Sequence, residues 1–508
     1  MTKKTQISPL SAMALGATAM VGSGWLFSAQ LNAQLAGNYA FLAWVTAASV
    51  AVIVAICLAS VVKKYPVRGA TSMCSTLSHN QIFGMPFAFA NWFVVMISIA
   101  NEAQATTQYL AAASKESVLM VNDSLTIYGK LCAFFILIIY LMINFYGIKL
   151  LSRVNNVVTV FKTFIPLFTI VVFLIASFDT TNFTLATNSV YSSSSVITAI
   201  IGAGLIYSFN GFQLPASFAS EIKNPGKNIL ISMIGGIVII LAVYMLLQLA
   251  FMAAIPHHMI EATGWAGLNF HSPLMNLALL LGLHFIVLLL VADSIVSPSG
   301  TGYSYLGASS RMFYAMALSG QMPKWCIGDL HAEYNVCRRS MLINFGLTTL
   351  VLFNSDSWAS LMVIITGFIL IGYMAAPVSM GAINPRTRMW MWTLIFGAFV
   401  FVVLSLIMLT IPKEDFMKVN ITIMILMASY IIMLFRSNRL PFSRLILFTL
   451  PFIIYLWLLY FTSNHYIATV ISLVFYALIT HTKYVTLCKE YSSANDMDLS
   501  KGEAFIVH

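Results

Sequence analysis

Apolar windows of about 20 residues follow one another along most of this chain, and a helix of that length crosses the hydrocarbon core of a bilayer. Hydrophobic residues make up 60% of the 508 residues and charged residues 8%, against about 25% in soluble domains. The pattern predicts an all-α polytopic membrane protein. Fourteen spans are expected, at residues 9–33, 39–62, 86–113, 125–146, 155–177, 196–219, 229–253, 274–313, 340–354, 359–380, 389–411, 418–435, 445–462 and 465–482.

The basic residues predict how these spans are oriented. With the N-terminus inside, inner segments collect 21 of the 26 Lys and Arg residues, outer segments collect four, and Lys162 lies within a span. Such an excess marks the cytoplasmic side. We therefore expect both termini in the cytoplasm and the chain in the bilayer of a bacterial inner membrane. The basic residues form no dense stripe, so the net charge of +10 does not indicate a nucleic-acid partner.

Two spans contain residues that interrupt a helix. The first includes Met20–Phe27, "MVGSGWLF", whose two glycines weaken a helix by about 1 kcal/mol each relative to alanine. The sixth includes "GAGLIYSFNGFQLPASFASE" (202–221), with Asn210 and Gly211 in mid-span and Pro215 shortly after. Irregular backbone is tolerated in the bilayer only where protein or a water-filled cavity surrounds it. Broken helices at matching positions of two oppositely oriented halves indicate a transporter site.

The free backbone groups at such breaks predict the ligand. N–H groups at 22–24 suit a carboxylate, and carbonyls released at 20, 21 and 209 suit an ammonium, so an amino-acid zwitterion fits both. An alternative interpretation is that the glycines only permit close helix packing. The predicted substrate site consists of Met20, Val21, Gly22, Ser23, Gly24, Phe209, Asn210 and Gly211.

The domain organisation follows from the repeated break. We expect a cytoplasmic N-terminus (1–8), a transport core (9–380) with inverted repeats at about 9–177 and 196–380, and helices 11–14 (389–482). Residues 483–508 are expected to form a cytoplasmic tail, in which "EYSSANDMDLSKGEAFIVH" (490–508) has the composition of a disordered segment. Span 8 contains "SPSGTG" (297–302), where it is expected to bend or to continue as a cytoplasmic helix. Trp44, Trp92 and Trp358 are expected in interfacial belts.

Histidines aside, three acidic or basic side chains remain well within spans: Glu102, Lys162 and Asp293. Each costs at least about 2.5–3.5 kcal/mol at a helix centre, so each is a candidate for proton coupling. Lys162 lies about 10 Å from the inner end of its span and could instead reach the interface. Glu102 and Asp293 could carry protons, meet the substrate, or make structural hydrogen bonds. A structural ion pair between two of the three is a further alternative.

Sequence motifs resemble those of one transporter family. "GATAMVGSGWLF" resembles the first helix of the amino acid–polyamine–organocation (APC) permeases, and "SEIKNPGKNI" (220–229) resembles their E-x-x-N-P-x-x-x-I signature. "SRMFYAMALSGQMP" (310–323) resembles the stretch after their eighth helix, although Leu318 and Ser319 replace the usual Arg-acid pair. "GSGWLF" and "ADSIVSPSGTG" are most similar to the group that contains aspartate–proton symporters.

This resemblance implies a LeuT-type 5+5 inverted repeat with spans 1 and 6 broken, followed by four additional C-terminal helices. It also implies secondary transport of an amino acid, acidic substrates among the candidates, by proton symport. Proton-coupled members place a lysine on the fifth helix, beside helices 1 and 8, and Lys162 matches that position. The alternatives are an antiporter of the glutamate-exchanger type and an amino-acid sensor without flux.

Other chemistry has no motif in the sequence. The six cysteines form no C-x-x-C pair, so neither a disulfide framework nor a metal cluster is expected. ATP-binding and common hydrolase motifs are not found, so the chain is not expected to be an enzyme and no cofactor is predicted. The expected partners are a small amino acid, protons and the bilayer, and the sequence does not indicate an oligomeric state.

Overall fold

A computed structural model describes residues 8–66, 70–114, 118–121, 124–145, 148–185, 190–219, 222–318, 320–323, 337–355, 357–383, 389–436 and 442–493. Within these ranges, the only strands are a hairpin of β1 (Met120–Val121) and β2 (Ser124–Leu125). The helices are α1 Pro9–Met20, α2 Gly24–Ala36, α3 Ala40–Lys64, α4 Ala70–Ser78, α5 Gln81–Ser114, α6 Ile127–Phe145, α7 Ile148–Ala176, α8 Ser193–Gly202, α9 Leu205–Ser208, α10 Leu214–Ser217, α11 Pro225–Ala254, α12 Pro273–Leu280, α13 His284–Leu318, α14 Arg338–Phe353, α15 Trp358–Ile383, α16 Trp390–Met408, α17 Lys413–Arg436, α18 Phe442–Phe461, α19 His465–Thr480 and α20 Thr482–Ser493.

The all-helical polytopic class is confirmed, and a helix lies in each of the fourteen predicted windows. Among the described residues, nine helical stretches are long and apolar enough to cross a bilayer alone, and α19 with α20, bent by 50°, makes a tenth. Spans 1 and 6 are divided into shorter helices, and α14 in window 9 has 16 residues. The count of fourteen crossings, the domain boundaries and the inverted repeats therefore stay predictions.

Two boundaries differ from those expected. Span 8 continues as a helix through 297–302, since α13 contains Pro298; an interruption that was not predicted lies before it, between α12 and α13, where Gly282 has φ 70°. The tail also begins with a helix, α20, whose Tyr484 packs against Phe83 and Phe448, so the disorder predicted from 490 onward is wrong up to Ser493. Ser220 and Glu221 of the signature, Ser319, and tail residues 494–508 lie outside the described residues.

The break in span 1 separates α1 from α2 at residues 21–23. The break in span 6 is longer, since α8, the short α9 and the short α10 are joined by turns around Gly204 and Gly211. Gly204 has φ 68° and Gly211 has φ 118°, conformations that favour glycine. Both interruptions that the sequence indicated are present in the fold.

The two broken spans are held by a core of long helices. Helix α5 packs against α13 and α15, and α11 packs against both α1 and α3. One buried amide ties spans 1, 2 and 7 together: Gln248 Oε1 accepts from Asn32 Nδ2 and Trp44 Nε1, each at 2.9 Å, and Gln248 Nε2 donates to the Ala29 carbonyl. Such interhelical hydrogen bonds support association where lipid provides little hydrophobic driving force.

The C-terminal helices pack on α5 and α15. Tyr476 of α19 donates to the carbonyl of Pro377, 3.1 Å away, inside α15. Its hydroxyl lies against the Cβ positions of Gly381 and Gly397, so glycine at both positions leaves room for it. At the α4–α5 junction, the buried ring of His79 bonds the Ile479 carbonyl at 2.9 Å. Helix α19 therefore supports two helices of the core, α5 and α15.

The interfacial positions predicted for three tryptophans are wrong. Trp44, Trp92 and Trp358 are each only 1% exposed. Each indole N–H donates to a polar side chain of another helix: Gln248, Asn344 and Ser23 respectively. Buried indoles ordinarily find such a partner. Their closeness to span ends in the sequence did not distinguish an interfacial ring from an interhelical bridge.

Replacing Gly211 by alanine should destabilise the fold by about 1–3 kcal/mol, because the new side chain would occupy a positive-φ position. Its Cβ would also lie 2.9 Å from the backbone carbon of Ala19 in α1. Thermal unfolding of the purified protein in lipid nanodiscs measures the loss.

The matched control is Gly346→Ala, in the exposed middle of α14. Gly346 has no heavy atom within 4 Å of its Cβ position and its φ is not positive. Alanine there should be neutral or slightly stabilising. Equal melting temperatures for Gly211→Ala and Gly346→Ala would contradict the strain attributed to Gly211.

Candidate functional site

The N-terminus of α2 holds a carboxylate. The backbone N–H of Ser23, at the start of this half-helix, donates to Glu102 Oε2 of α5 at 2.9 Å. The Tyr207 hydroxyl of α9 donates to the other oxygen, Oε1, at 2.7 Å. Hydrogen bonds to charged groups contribute about 1.5–3 kcal/mol each, and the partial positive charge of a helix N-terminus adds to the attraction. The place predicted for a substrate carboxylate is thus occupied by a side chain of the protein.

The carbonyls predicted to hold a substrate ammonium are largely partnered. The Met20 carbonyl, at the end of α1, accepts from the Tyr244 hydroxyl of α11 at 2.9 Å, and the same hydroxyl is 3.2 Å from the Ser208 carbonyl. The Phe209 carbonyl accepts from the backbone N–H of Phe212 at 3.3 Å. Each carbonyl keeps a second lone pair, so a ligand would share these groups with the protein. Val21 lies between the two half-helices and is buried.

The glycines of the span 1 break have different surroundings. A Cβ on Gly24 would lie 2.7 Å from Ser208 Oγ, so this glycine allows α2 to approach α9, as in the alternative based on close packing. A Cβ on Gly22 would lie 2.9 Å from Glu102 Oε1 and 3.4 Å from Thr301 Oγ1. Gly22 therefore leaves space for Glu102 of α5 and Thr301 of α13. Gly24 instead leaves space for Ser208 of α9.

The second break is closed by its own side chains. Gly211 N–H donates to Gln213 Oε1 at 3.0 Å, and Gln213 Nε2 donates to Asn210 Oδ1 at 2.9 Å. Asn210 is 5% exposed. The contacts of span 6 with the Glu102 carboxylate come from α9, through Tyr207, and not from Asn210 or Gly211.

Lys162 is buried and contacts span 8. Its Nζ donates to Thr301 Oγ1 of α13 at 2.6 Å, and Thr301 is the residue that also borders Gly22. The ammonium lies between α7, α13 and the break in span 1, and the side chain is 7% exposed. This is the neighbourhood that the resemblance implied.

Asp293 lies elsewhere on α13, two turns before Thr301. The residue is fully buried, and its Oδ1 accepts from Ser297 Oγ at 2.7 Å. Within the described part of the chain, no ion pair within 4.0 Å joins Lys162 to Asp293 or Glu102. The structure thus brings Glu102 and Lys162 to the same break through Thr301 and Gly22, whereas the Asp293 carboxylate bonds Ser297 of its own helix and lies near Trp25 of α2.

Aromatic rings enclose the carboxylate site on one side. Trp358 Nε1 donates to Ser23 Oγ at 2.8 Å, and the indole stacks on Phe27 with centroids 4.6 Å apart. The Tyr207 ring meets the same indole edge-on at 6.3 Å. Since Trp358 engages the Ser23 side chain and Glu102 engages its backbone, α15 and α5 together fix the start of α2.

Comparisons with known proteins agree with this architecture. A family model described as "Amino acid permease" matches residues 7–435. The chain belongs to the amino acid permease family. The resemblance to APC permeases inferred from the motifs is therefore confirmed, and with it an integral membrane transporter architecture.

Curated relatives of this permease carry different substrates in their names. It is 36% identical over 380 residues to the glutamate/serine transporter AimA of Bacillus subtilis, covering 74% of this chain and 70% of that protein. The aspartate-proton symporter of the same bacterium is 26% identical over 376 residues, with coverages of 74% and 72%. A methylthioribose transporter, also from Bacillus subtilis, is 21% identical over 384 residues, with coverages of 73% and 77%.

Several residues of the permease site were not found from the sequence. Tyr207, Tyr244, Thr301 and Trp358 all bond to the break in span 1 or to its charged neighbours. Tyrosine, threonine and tryptophan are common in membrane helices, so their type gives no signal. Their position in the sequence is the one available clue, since Tyr207 lies within the interrupted stretch 202–221 and Thr301 lies within "SPSGTG" (297–302).

In this permease, Gly24→Ala should lower stability by about 1–3 kcal/mol through overpacking against Ser208. Adding Ser208→Ala should recover part of the loss, because the remaining Cβ of residue 208 lies 3.6 Å away, an ordinary contact. Unfolding free energies of the wild type, both single variants and the double variant give the coupling. Additive effects would contradict the proposed contact.

Proposed function

We propose that this protein is a secondary active transporter that moves an amino acid by proton symport, with the substrate bound at the break in span 1. The observation that supports this most strongly is the carboxylate held by the backbone of a half-helix inside the membrane, Glu102 on Ser23 N–H. A site that binds one carboxylate through backbone N–H groups has the chemistry to bind another. The proposal includes a LeuT-type inverted repeat, in which the two broken spans face each other.

The substrate class is proposed from site chemistry and from relatives. A carboxylate fits the N-terminus of α2, and a nearby ammonium, Lys162, favours negative charge in the same region. Relatives named for glutamate, serine and aspartate are consistent with small or acidic amino acids. We therefore propose L-glutamate, L-aspartate and L-serine as the first substrates to test.

Proton coupling is proposed to act through Lys162. Its ammonium connects α7 to α13 through Thr301, beside the break in span 1. A cation at that place can hold the helices together as a bound sodium ion would. Loss of its proton would remove the charge that anchors the contact, so the two protonation states favour different helix arrangements. Glu102 and Asp293 are proposed as further groups in proton transfer.

Uptake by proteoliposomes tests the proposed function. Purified protein is reconstituted, and radiolabelled L-glutamate, L-aspartate and L-serine are offered under an imposed pH gradient or an imposed Na⁺ gradient. Proton symport predicts accumulation driven by an acidic exterior in the absence of Na⁺. Accumulation only when the liposomes are preloaded with amino acid would favour the exchanger alternative, and binding without flux would favour the sensor.

Lys162→Ala should abolish accumulation driven by the pH gradient, because it removes both the charge and the titrating group. Substrate binding should be retained at least in part, since Lys162 does not touch Ser23. Gradient-driven uptake and equilibrium binding are measured on the same preparation.

The matched control is Lys418→Ala, which removes a lysine whose side chain is 57% exposed and paired with Asp415. Exposed pairs of this kind contribute little to stability. Accumulation should be unchanged in this variant. Normal accumulation by Lys162→Ala would refute the coupling role.

Asp293→Asn keeps the volume of the side chain and its bond to Ser297 while removing the ability to ionise. If Asp293 carries a proton during the cycle, net accumulation should fall and its dependence on pH should change, while exchange of internal for external substrate persists. Asp415→Asn, in the first turn of α17, serves as the carboxylate control. An unshifted pH profile with full accumulation would assign Asp293 a structural role.

A further inference from the structure

We propose that Glu102 is a tethered competitor of the substrate: its carboxylate occupies the backbone site at Ser23 when no amino acid is bound, and the substrate carboxylate replaces it there. This inference rests on the proposed function and adds a specific event to it. The substrate class that follows is one with a free α-carboxylate, and the event that accompanies binding is release of Glu102 from α2.

The geometry leaves room for only one carboxylate. Ser23 N–H donates to Glu102 Oε2 at 2.9 Å, and Oε1 lies 2.9 Å from the Cβ position of Gly22. Glu102 therefore bonds the Ser23 N–H and also lies against Gly22 in the same break. Two carboxylates at the same donor would repel each other strongly in a buried site. A substrate carboxylate can bind there only when Glu102 moves away or loses its charge.

Capping the N-terminus of α2 for structural reasons alone would not require Glu102. Helix N-termini are ordinarily capped by a local Ser, Thr, Asp or Asn side chain. At the start of α2, Ser23 has helical backbone angles (φ −70°, ψ −19°), and its hydroxyl makes no capping bond and accepts from Trp358. The N–H is satisfied by a carboxylate 79 positions away, on another helix, whose burial is costly. A neutral side chain could also satisfy the Ser23 N–H. We therefore expect a buried carboxylate such as Glu102 in this place only if it must be able to leave.

Protonation gives Glu102 a way to leave. A proton added to the carboxylate forms a neutral carboxylic acid, which loses its attraction to the positive end of α2 and can donate its O–H to another acceptor. The Tyr207 hydroxyl, which touches Oε1, can accept that O–H after rotating. Binding of one substrate carboxylate would thus be linked to uptake of one proton by Glu102. This link would make substrate and proton bind together.

Other titratable groups near Glu102 contribute to the charge that it experiences. From the elements around it these are Tyr207 of α9, Tyr140 of α6, Lys162 of α7, Tyr244 of α11 and Tyr305 of α13. Asp293 of α13 acts on Lys162. A tyrosine hydroxyl ordinarily carries no charge below about pH 10, so Lys162 is the group whose charge must be controlled for. The comparison below is therefore repeated in Lys162→Met.

Equilibrium binding to the full-length protein in nanodiscs tests the inference. The probes are L-serine with L-serinamide, and L-glutamate with its α-amide L-isoglutamine, each pair differing in the α-carboxylate. Glu102→Gln should bind L-serine and L-glutamate about tenfold more tightly than the wild type, since a neutral amide competes less well for the backbone N–H. The two amides should change little.

The pH dependence should also differ. L-Serine keeps its own charges between about pH 5 and 8, so changes in its affinity report on the protein. Wild-type affinity should rise as pH falls, because protonated Glu102 no longer competes, and Glu102→Gln should show a flat profile. Infrared difference spectra should show a protonated carboxyl band on L-serine addition to the wild type and none in the variant.

Controls separate this effect from general perturbation of α5. Ser98→Ala lies one turn away on the same helix, where the hydroxyl bonds only the Val94 carbonyl of its own helix, and should leave binding unchanged. Tyr207→Phe removes the donor to Oε1 and should tighten carboxylate binding in the same direction as Glu102→Gln. This second variant keeps the test decisive where Glu102→Gln fails to fold.

The outcomes distinguish this inference from the proposed function. Weaker or unchanged binding of L-serine by Glu102→Gln and Tyr207→Phe, with normal wild-type binding, overturns the competitor role alone. Equal loss of L-serine and L-serinamide would mean that Glu102 holds the substrate ammonium, which also overturns it. A wild type that binds and transports none of the proposed amino acids overturns the proposed function, and the inference with it.

Discussion

The contact on which the site depends is the bond between a backbone N–H in the middle of the membrane and a carboxylate from another helix. Residues 21–23 interrupt span 1, so the first N–H groups of α2 have no carbonyl one turn earlier. Within hydrocarbon such groups must find partners in the protein. Glu102 provides one, and this requirement explains why α5, a buried and central helix, carries a charged residue in its middle.

The remaining ends of the broken spans are satisfied in the same way, by polar side chains from intact helices. Tyr244 of α11 bonds carbonyls from both broken spans, Met20 of span 1 and Ser208 of span 6. Trp358 of α15 bonds the Ser23 hydroxyl. The two interruptions are therefore joined through a small set of shared partners. A movement of one half-helix would change hydrogen bonds on three other helices, which is the kind of coupling that alternating access requires.

The three ionisable residues have unequal relations to this centre. Glu102 contacts the backbone at the break directly, and Lys162 reaches its edge through Thr301. Asp293 bonds within α13. The ammonium and the two carboxylates are separate enough that no ion pair within 4.0 Å forms among these described residues, so each can change its charge without first breaking a salt bridge.

Sequence determined the fold class and the location of the breaks, because both follow from local chemistry. Apolar windows of bilayer length, the Gly-Ser-Gly stretch at 22–24 and the glycine at 211 are visible without any partner residue. It also singled out Glu102, Lys162 and Asp293, since charge within an apolar span is itself the signal. The family followed from motifs that adjoin these features.

Tertiary structure alone decided which groups fill the breaks. That Glu102 lies on Ser23, that Gly24 faces Ser208 while Gly22 faces the carboxylate, and that Trp358 is buried depend on how helices far apart in the chain pack. Helix periodicity shows which face of a helix a residue lies on, but not which helix covers that face. Span 8 illustrates the same limit, because the sequence left open whether it bends or continues at 297–302, and the structure shows a continuous α13 there with an interruption at Gly282.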